Sequence, residues 1–418
     1  MVPEVIREGD DTTPSPAPVL AAQAPALPAR EHGIDLILLA AVLALVAIGT
    51  VEIYSASAVY SLREHGTTAH FLFRQLGYVV LGLGALWMGA RRDFGWLRRY
   101  CYPLLGTAFA LLASVLVVGT RVGGARRWFH AGPLSFQPVE VAKLALVVYL
   151  AYSLAKKQEK VKTFTIGFLP HLAVAALMMG LLLKQPDLGS SLILGATCLI
   201  VLFVAGAKVS YILIAILGAA PAVYRVVVGT SWRLKRIFAF VDPWQFRRGV
   251  GYQITQSLIS IGSGGIRGLG LGDGRQKLFY MPEAHTDFIM ANVGEELGFL
   301  GFCLVLGLFL VIVWRGVRAA LRARDTFGTF LAFGLTTMFG LQALMNTGVV
   351  LGALPAKGIT LPFVSYGGTS LVVSLFFVGI LLNVSRRAPA PVPVPESRLE
   401  NGPAANRRRR VRVQVVVS

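Results

Sequence analysis

Apolar runs of about 20 residues recur along most of this chain, each long enough to cross roughly 30 Å of hydrocarbon as a helix. They cover residues 34–57, 71–90, 101–120, 138–155, 164–183, 189–206, 209–228, 287–313, 327–349 and 369–385, about ten spans. Backbone in lipid must satisfy its own hydrogen bonds, so such runs fold as helices. The expected class is an all-α polytopic membrane protein with one large extracytoplasmic loop, 229–286, between helices 7 and 8. Charge supports this: 15% of the 418 residues are charged, against about a quarter in soluble domains. No stretch outside the spans is long and apolar enough for a separate soluble core.

Three segments follow: a tail over 1–33, a membrane domain over 34–387, and a basic tail over 388–418. The first tail is rich in Pro and Ala with mixed charges and reads as disordered. It lacks the basic start and compact apolar core of a signal peptide. One set of short loops carries Arg91, Arg92, Arg98 and Arg99, then Lys156, Lys157, Lys160 and Lys162, then Lys208, then Arg315, Arg318, Arg322 and Arg324. The positive-inside rule makes these loops and both tails cytoplasmic. The run Arg407 to Arg410 agrees, and anionic headgroups account for it.

The opposite face should be poor in positive charge, yet it is not. The loop 121–137 holds Arg121, Arg126 and Arg127, and the loop 229–286 holds Arg233, Lys235, Arg236, Arg247, Arg248, Arg267, Arg275 and Lys277. Long loops escape the orientation rule, so the topology stands. Headgroup contact is one explanation. The other is an anionic substrate on the outer face, since guanidinium forks match phosphate geometry. Net charge of +19 on a membrane protein does not imply nucleic acid, and none is expected.

Carboxylates are the other anomaly. Met281 to Gly298 reads MPEAHTDFIMANVGEELG and places Glu283, His285, Asp287, Glu295 and Glu296 where the eighth span begins. On one continuous helix Glu295 would lie roughly 12 Å deeper than Asp287. Asp287 could be a helix N-terminal carboxylate favoured by the dipole, but it closes the basic loop, which favours function. Glu295 and Glu296 read as interhelical packing partners. Gln137-Pro-Val-Glu140-Val-Ala-Lys143 puts an acid and a base on one helix face, so Lys143 can pair with Glu140 or, across helices, with Asp287. Asp187, in a Gln-Pro-Asp-Leu-Gly turn, can cap the next helix. The run Gly262 to Gly274 lacks dinucleotide-binding spacing; its glycines allow close backbone approach. Leu354 to Ser370, with Lys357 and Ser365, suggests non-helical backbone near the membrane surface, tolerated only where protein or water covers it. The three cysteines and six histidines show no disulfide framework or zinc spacing, so no structural metal is expected.

In this order among the spans, RRWFHAGPLSFQPVEVAKL, KQPDLGSS, PEAHTDFIMANVGEELG and LPAKGITLPFVSYGGTS resemble the SEDS (shape, elongation, division and sporulation) family over about residues 34 to 387. The PEAHTDF form and the long tails resemble the FtsW division branch more than the RodA branch. Met290-Ala-Asn and Thr369 depart slightly from the family pattern. The resemblance implies a peptidoglycan glycosyltransferase that polymerises lipid II on the outer leaflet. It implies a class B penicillin-binding protein (a transpeptidase) and other septal proteins as partners. It puts the catalytic aspartate at Asp287 and cavity positions at Glu140, Lys143 and Asp187. On that reading Lys143 keeps Asp287 charged and oriented. Arg126, Arg127, Arg233, Arg236, Arg275, Lys277, Glu283, His285, Lys357 and Ser365 complete the expected substrate surface. The resemblance names no certain cofactor; a divalent cation could help the diphosphate, without an all-protein site for it. The competing readings are a lipid II flippase, for which Glu295, Glu296, Gln342 and Asn346 offer polar lining, and a scaffold that only recruits the transpeptidase.

Overall fold

The computed structural model describes residues 33–122, 124–131, 134–275 and 285–386. The two tails, including Arg407 to Arg410, and the site candidates Lys277 and Glu283 lie outside the described residues. The chain runs through helices α1 (Leu36–His65), α2 (His70–Arg91), the short α3 (Gly95–Arg99) and α4 (Cys101–Val118). A small sheet of β1 (Thr120–Val122), β2 (Ala125–Ala131) and β3 (Leu134–Phe136) precedes α5 (Pro138–Lys156). Then come α6 (Leu169–Lys184), α7 (Leu188–Val204), α8 (Val209–Val228), α9 (Ser231–Val241), α10 (Tyr252–Gly264), α11 (Ile289–Glu296), α12 (Gly298–Leu321), α13 (Thr326–Val350) and α14 (Gly368–Arg386).

Among the described residues nine helices are long and apolar enough to cross a membrane, and α7, at 17 residues, is a shorter apolar helix beside them. The protein is an all-α polytopic membrane protein, and the helices match the expected spans closely. α5, α13 and α14 form the buried centre, whereas the window Val209–Val226 of α8 has none of its residues buried. That pattern suits a bundle in lipid, where a peripheral helix keeps an apolar surface all round.

Close packing comes from small residues, as expected where lipid offers no hydrophobic drive between helices. α2 and α14 meet at Gly89 and Gly379. A Cβ on Gly379 would stand 2.2 Å from the Leu86 carbonyl oxygen, and one on Gly89 2.8 Å from that of Phe376. Asn383 Nδ2 finishes this contact by donating to the carbonyls of Ala90 (2.8 Å) and Arg92 (2.7 Å) at the end of α2. At the start of α1, Asp35 accepts from the Leu38 amide at 3.1 Å and pairs with Arg315 of α12 at 2.7 Å.

Three expectations need correction. The eighth span does not start at Asp287. Gly298 adopts φ +68, the chain breaks there, and a helix of 8 residues, α11, precedes the spanning α12. The stripe from Asp287 to Glu295 on one long helix is therefore not formed. The loop 229–286 is not one open loop, since it contains α9 and α10, and α10 packs on α11, α12 and α13. The loop 121–137 carries the three-stranded sheet, in the order β1-β2-β3.

The expectation for Leu354 to Ser370 is met in an extreme form. Leu361, Pro362, Phe363, Val364 and Ser365 are all buried, and a Cβ on Gly49 of α1 would stand 2.5 Å from Val364 Cα. The chain thus dips into the bundle as non-helical backbone. Ser365 Oγ accepts from the Leu361 amide at 2.8 Å, so a side chain replaces a missing helical partner.

Candidate active site

Asp287 lies in the turn just before α11, half-buried, with its backbone fixed by α13: Asn346 Nδ2 donates to the Asp287 carbonyl at 2.8 Å and to that of Ile359 at 2.7 Å. Its carboxylate rests against Gly358, where a Cβ would stand 2.9 Å from Oδ2. A side chain at 358 would push into the acid, so the glycine keeps that approach open.

Two cavities meet at this aspartate. The larger, about 740 Å³, is lined by Arg127 of β2, Arg233 and Arg236 of α9, Lys357, Asp187 and Asp287. The smaller, about 190 Å³, is lined by Arg127, Glu140, Lys143, Asp187, Asp287 and Tyr366 among others. Residues from six separate stretches of chain therefore converge on one place.

The cations are held by backbone carbonyls and by an aromatic ring. Arg127 Nε donates to the Gln185 carbonyl at 3.0 Å and its Nη2 to that of Pro186 at 2.6 Å. Arg236 Nη1 donates to the Ala356 carbonyl at 3.1 Å, and Arg233 Nη1 to that of Val226 at 2.9 Å. Both guanidinium groups lie 5.1 Å from the Trp232 ring, a cation–π arrangement that orients them. Burial lowers the Arg236 pKa, helped by the like charge of Arg127 and opposed by Asp287. Burial also lowers that of Lys357. Positive charges crowded into a partly desolvated cavity favour an anionic ligand.

Lys143 makes its ion pair within its own helix: Nζ lies 2.8 Å from Glu140 Oε1, with both side chains buried, and 3.4 Å from Gln342 Oε1. The direct pairing of Lys143 with Asp287 is replaced by this one, because the three-residue spacing already sets acid and base side by side. Asp187 caps α7, accepting from the Ser190 amide at 3.0 Å and the Ser190 hydroxyl at 2.7 Å. These bonds leave it a cavity wall.

Other expected substrate residues lie outside both cavity linings. Arg126 Nη1 donates to the carbonyls of Leu116 (3.0 Å) and Val117 (2.8 Å) and closes the end of α4. Arg275 is exposed, and its backbone amide donates to Glu295 Oε1 at 2.8 Å. Ser365 supports the buried loop described above. His285 lies outside both cavity linings and packs among aromatic rings, with its carbonyl accepting from the Tyr366 amide at 2.9 Å. Trp232 and Tyr366 are cavity residues that charge patterning does not reveal; an aromatic amid arginines in the outer segment is the signal that points to Trp232. Among the described residues no group of three or more His, Cys, Asp or Glu side chains is placed to hold a metal ion.

Glu295 and Glu296, at the far end of α11, hold chain. Glu295 Oε2 accepts from Ser260 Oγ at 3.2 Å. Glu296 accepts from Ser55 Oγ at 2.6 Å and from the Gly272 amide at 2.9 Å. The Gly-rich run is laced to the same place: the amides of Leu269 and Gly270 donate to the carbonyls of Glu295 and Glu296, each at 3.0 Å.

Comparison with known proteins agrees over most of this length. The FtsW/RodA/SpoVE family model, described as "Cell cycle protein", matches residues 35–389. The "Probable peptidoglycan glycosyltransferase FtsW" of Geobacter metallireducens is 47% identical over 355 residues, 84% of this chain and 95% of its own. "Stage V sporulation protein E" of Bacillus subtilis is 42% identical over 355 residues, covering 84% and 97% of the two chains. Among solved structures, a chain from a peptidoglycan synthase complex, described for its coordination of polymerization and crosslinking, superposes with TM-score 0.72. It is 32% identical, over 85% of this chain and 98% of that one. The rod shape determining protein RodA of Thermus thermophilus gives TM-score 0.62 at 31% identity, over 86% and 99%.

Proposed function

This chain belongs to the FtsW/RodA/SpoVE cell cycle protein family, and from that premise we propose that it is an inverting peptidoglycan glycosyltransferase. It polymerises lipid II into glycan strands at the outer face of the cytoplasmic membrane, and its division-type relatives favour the septum as the place. The observation that carries this reading is the meeting of two cavities at Asp287, one of them lined by Arg127, Arg233, Arg236 and Lys357.

The chemistry is a single displacement. The acceptor sugar hydroxyl oxygen forms a bond to the anomeric carbon of the donor, and the bond from that carbon to the lipid diphosphate breaks. The diphosphate leaves with the electron pair, and the hydroxyl proton passes to the Asp287 carboxylate as general base. The leaving group is already an anion, so it needs charge stabilisation more than a proton. The cations of the larger cavity supply it from fixed positions, which costs no reorganisation during the reaction. Glu140 and Lys143 shape the smaller cavity as a neutralised pair.

The same reading makes a class B penicillin-binding protein and other septal proteins the partners, and both tails cytoplasmic. The side chains offered for a flippase lining have other partners. Glu295 and Glu296 anchor backbone, Gln342 contacts Lys143, and Asn346 holds the Asp287 carbonyl. In a polymerisation assay with purified protein, its transpeptidase partner and lipid II, the wild type makes glycan strands. Asp287→Asn makes none above about one-hundredth of that rate. Wild-type polymerisation by Asp287→Asn would remove the base assignment.

A further inference from the structure

Of the rings around His285, Tyr366 alone lines a cavity already described; the others adjoin it. His285 stands two residues before Asp287. Its imidazole stacks on Tyr60 of α1 (centroids 6.2 Å apart, planes at 23°) and lies 5.3 Å from Phe71 of α2 and 5.8 Å from Tyr366. Phe71 meets Tyr366 edge-on at 5.3 Å and Tyr60 at 6.0 Å. Four rings from α1, α2, the turn before α11 and the loop before α14 thus form one patch. Tyr366 also lines the smaller cavity with Asp287, so patch and cavity are continuous.

Its level in the bundle is set by α1. At 1.5 Å per residue Tyr60 stands roughly 36 Å along that helix from Leu36, beyond the ~30 Å hydrocarbon core. The patch therefore sits in the headgroup layer. Tyr60 remains 42% exposed, whereas Phe71 beneath it is buried. Arg74 lies close enough to act electrostatically on both Tyr366 and His70. The rings tilt against one another by 43–83° apart from the near-parallel Tyr60–His285 pair, and Tyr60 carries the exposed edge of the cluster. An exposed phenol ring with a nearby cation suits a ligand with an apolar C–H face and hydroxyl rims, which describes a pyranose ring. A cationic cavity takes the diphosphate; the polymer needs an uncharged track.

We propose that Tyr60, Phe71, His285 and Tyr366 form a product subsite that stacks the sugar rings of the growing glycan strand as it leaves Asp287. This rests on the glycosyltransferase reading above. The subsite keeps the strand from dissociating between additions, so it governs strand length more than the rate of the first bond. Tyr60 is the residue to test, because it is exposed and its replacement leaves the core intact.

Two measurements on the full-length purified protein decide it. The first is binding of a soluble chito-oligosaccharide, which carries no lipid diphosphate and cannot react. Wild type and Tyr60→Phe should bind it, and Tyr60→Leu should bind roughly threefold to tenfold more weakly, the range of one aromatic contact. The second is strand length with lipid II and the transpeptidase partner: Tyr60→Leu should make shorter strands, and Tyr60→Phe should restore length. Absence of binding by the wild type, or equal binding and equal strand length in Tyr60→Leu, overturns the subsite and reduces the patch to an interfacial anchor for α1 and α2. A wild type that makes no polymer even with its transpeptidase partner overturns the glycosyltransferase reading instead.

Discussion

The two ends of α11 hold the same side chain chemistry and do different work. At its start Asp287 faces a cavity lined by Arg127, Arg233, Arg236 and Lys357. At its end Glu295 and Glu296 are buried and take hydrogen bonds from Ser55, Ser260 and the backbone of Gly272 and Arg275. A carboxylate whose oxygens accept from amides and hydroxyls in a dry core acts as a structural anchor. One that borders a cavity among cations, with its backbone pinned by Asn346, is the one we propose as the general base. α11 is eight residues long and ends in Glu295 and Glu296, so on the proposed reading the anchored end holds the Asp287 turn still.

The sharpest way to break this contrast is to loosen the anchored end. A Cβ on Gly268 would lie 2.1 Å from the Glu296 carbonyl oxygen, and the residue has φ +84. Gly268→Ala should lose about 3 kcal/mol or more, from steric conflict and backbone strain together. Gly272, with φ +89 but open space around its Cβ position, should lose only about 1 kcal/mol as Gly272→Ala. Thermal unfolding in detergent checks both, and equal losses would mean that close approach is not what holds the run. At the reactive end the order reverses. Arg236→Gln should slow polymerisation about 100-fold, as when one preorganised donor to a developing anion is removed. Its melting temperature should stay near that of the wild type, and a large drop there would make Arg236 a structural residue.

Much of this was legible in the sequence because length and apolarity alone decide which segments can cross a bilayer. The break at Gly298 was not, because the apolar pattern runs on past it and positive φ leaves no trace in hydropathy. α9 and α10 were hidden for the opposite reason: they are amphipathic and set among arginines and glycines, so they read as loop. Asp287 stood out because an acid closes a basic segment. The individual cations could not be sorted, since charge does not tell whether a guanidinium faces a cavity, as at Arg236, or closes a helix end, as at Arg126. The spacing of Glu140 and Lys143 did carry the pair that forms, and the Asp187 turn its cap. His285 stood out by its neighbour in sequence, but the ring cluster around it needs three other segments of chain.

The division of labour along α11 is tested most directly by measuring polymerisation rate and melting temperature on the same preparations of Asp287→Asn and Glu296→Gln. Asp287→Asn should lose about 100-fold or more of its rate with an unchanged melting temperature. Glu296→Gln should melt about 3 °C or more below the wild type, as weakened buried hydrogen bonds predict, while its folded fraction polymerises at close to the wild-type rate. The reverse pattern, full activity in Asp287→Asn and a stable but inactive Glu296→Gln, would contradict the account and move the chemistry to the other end of the helix.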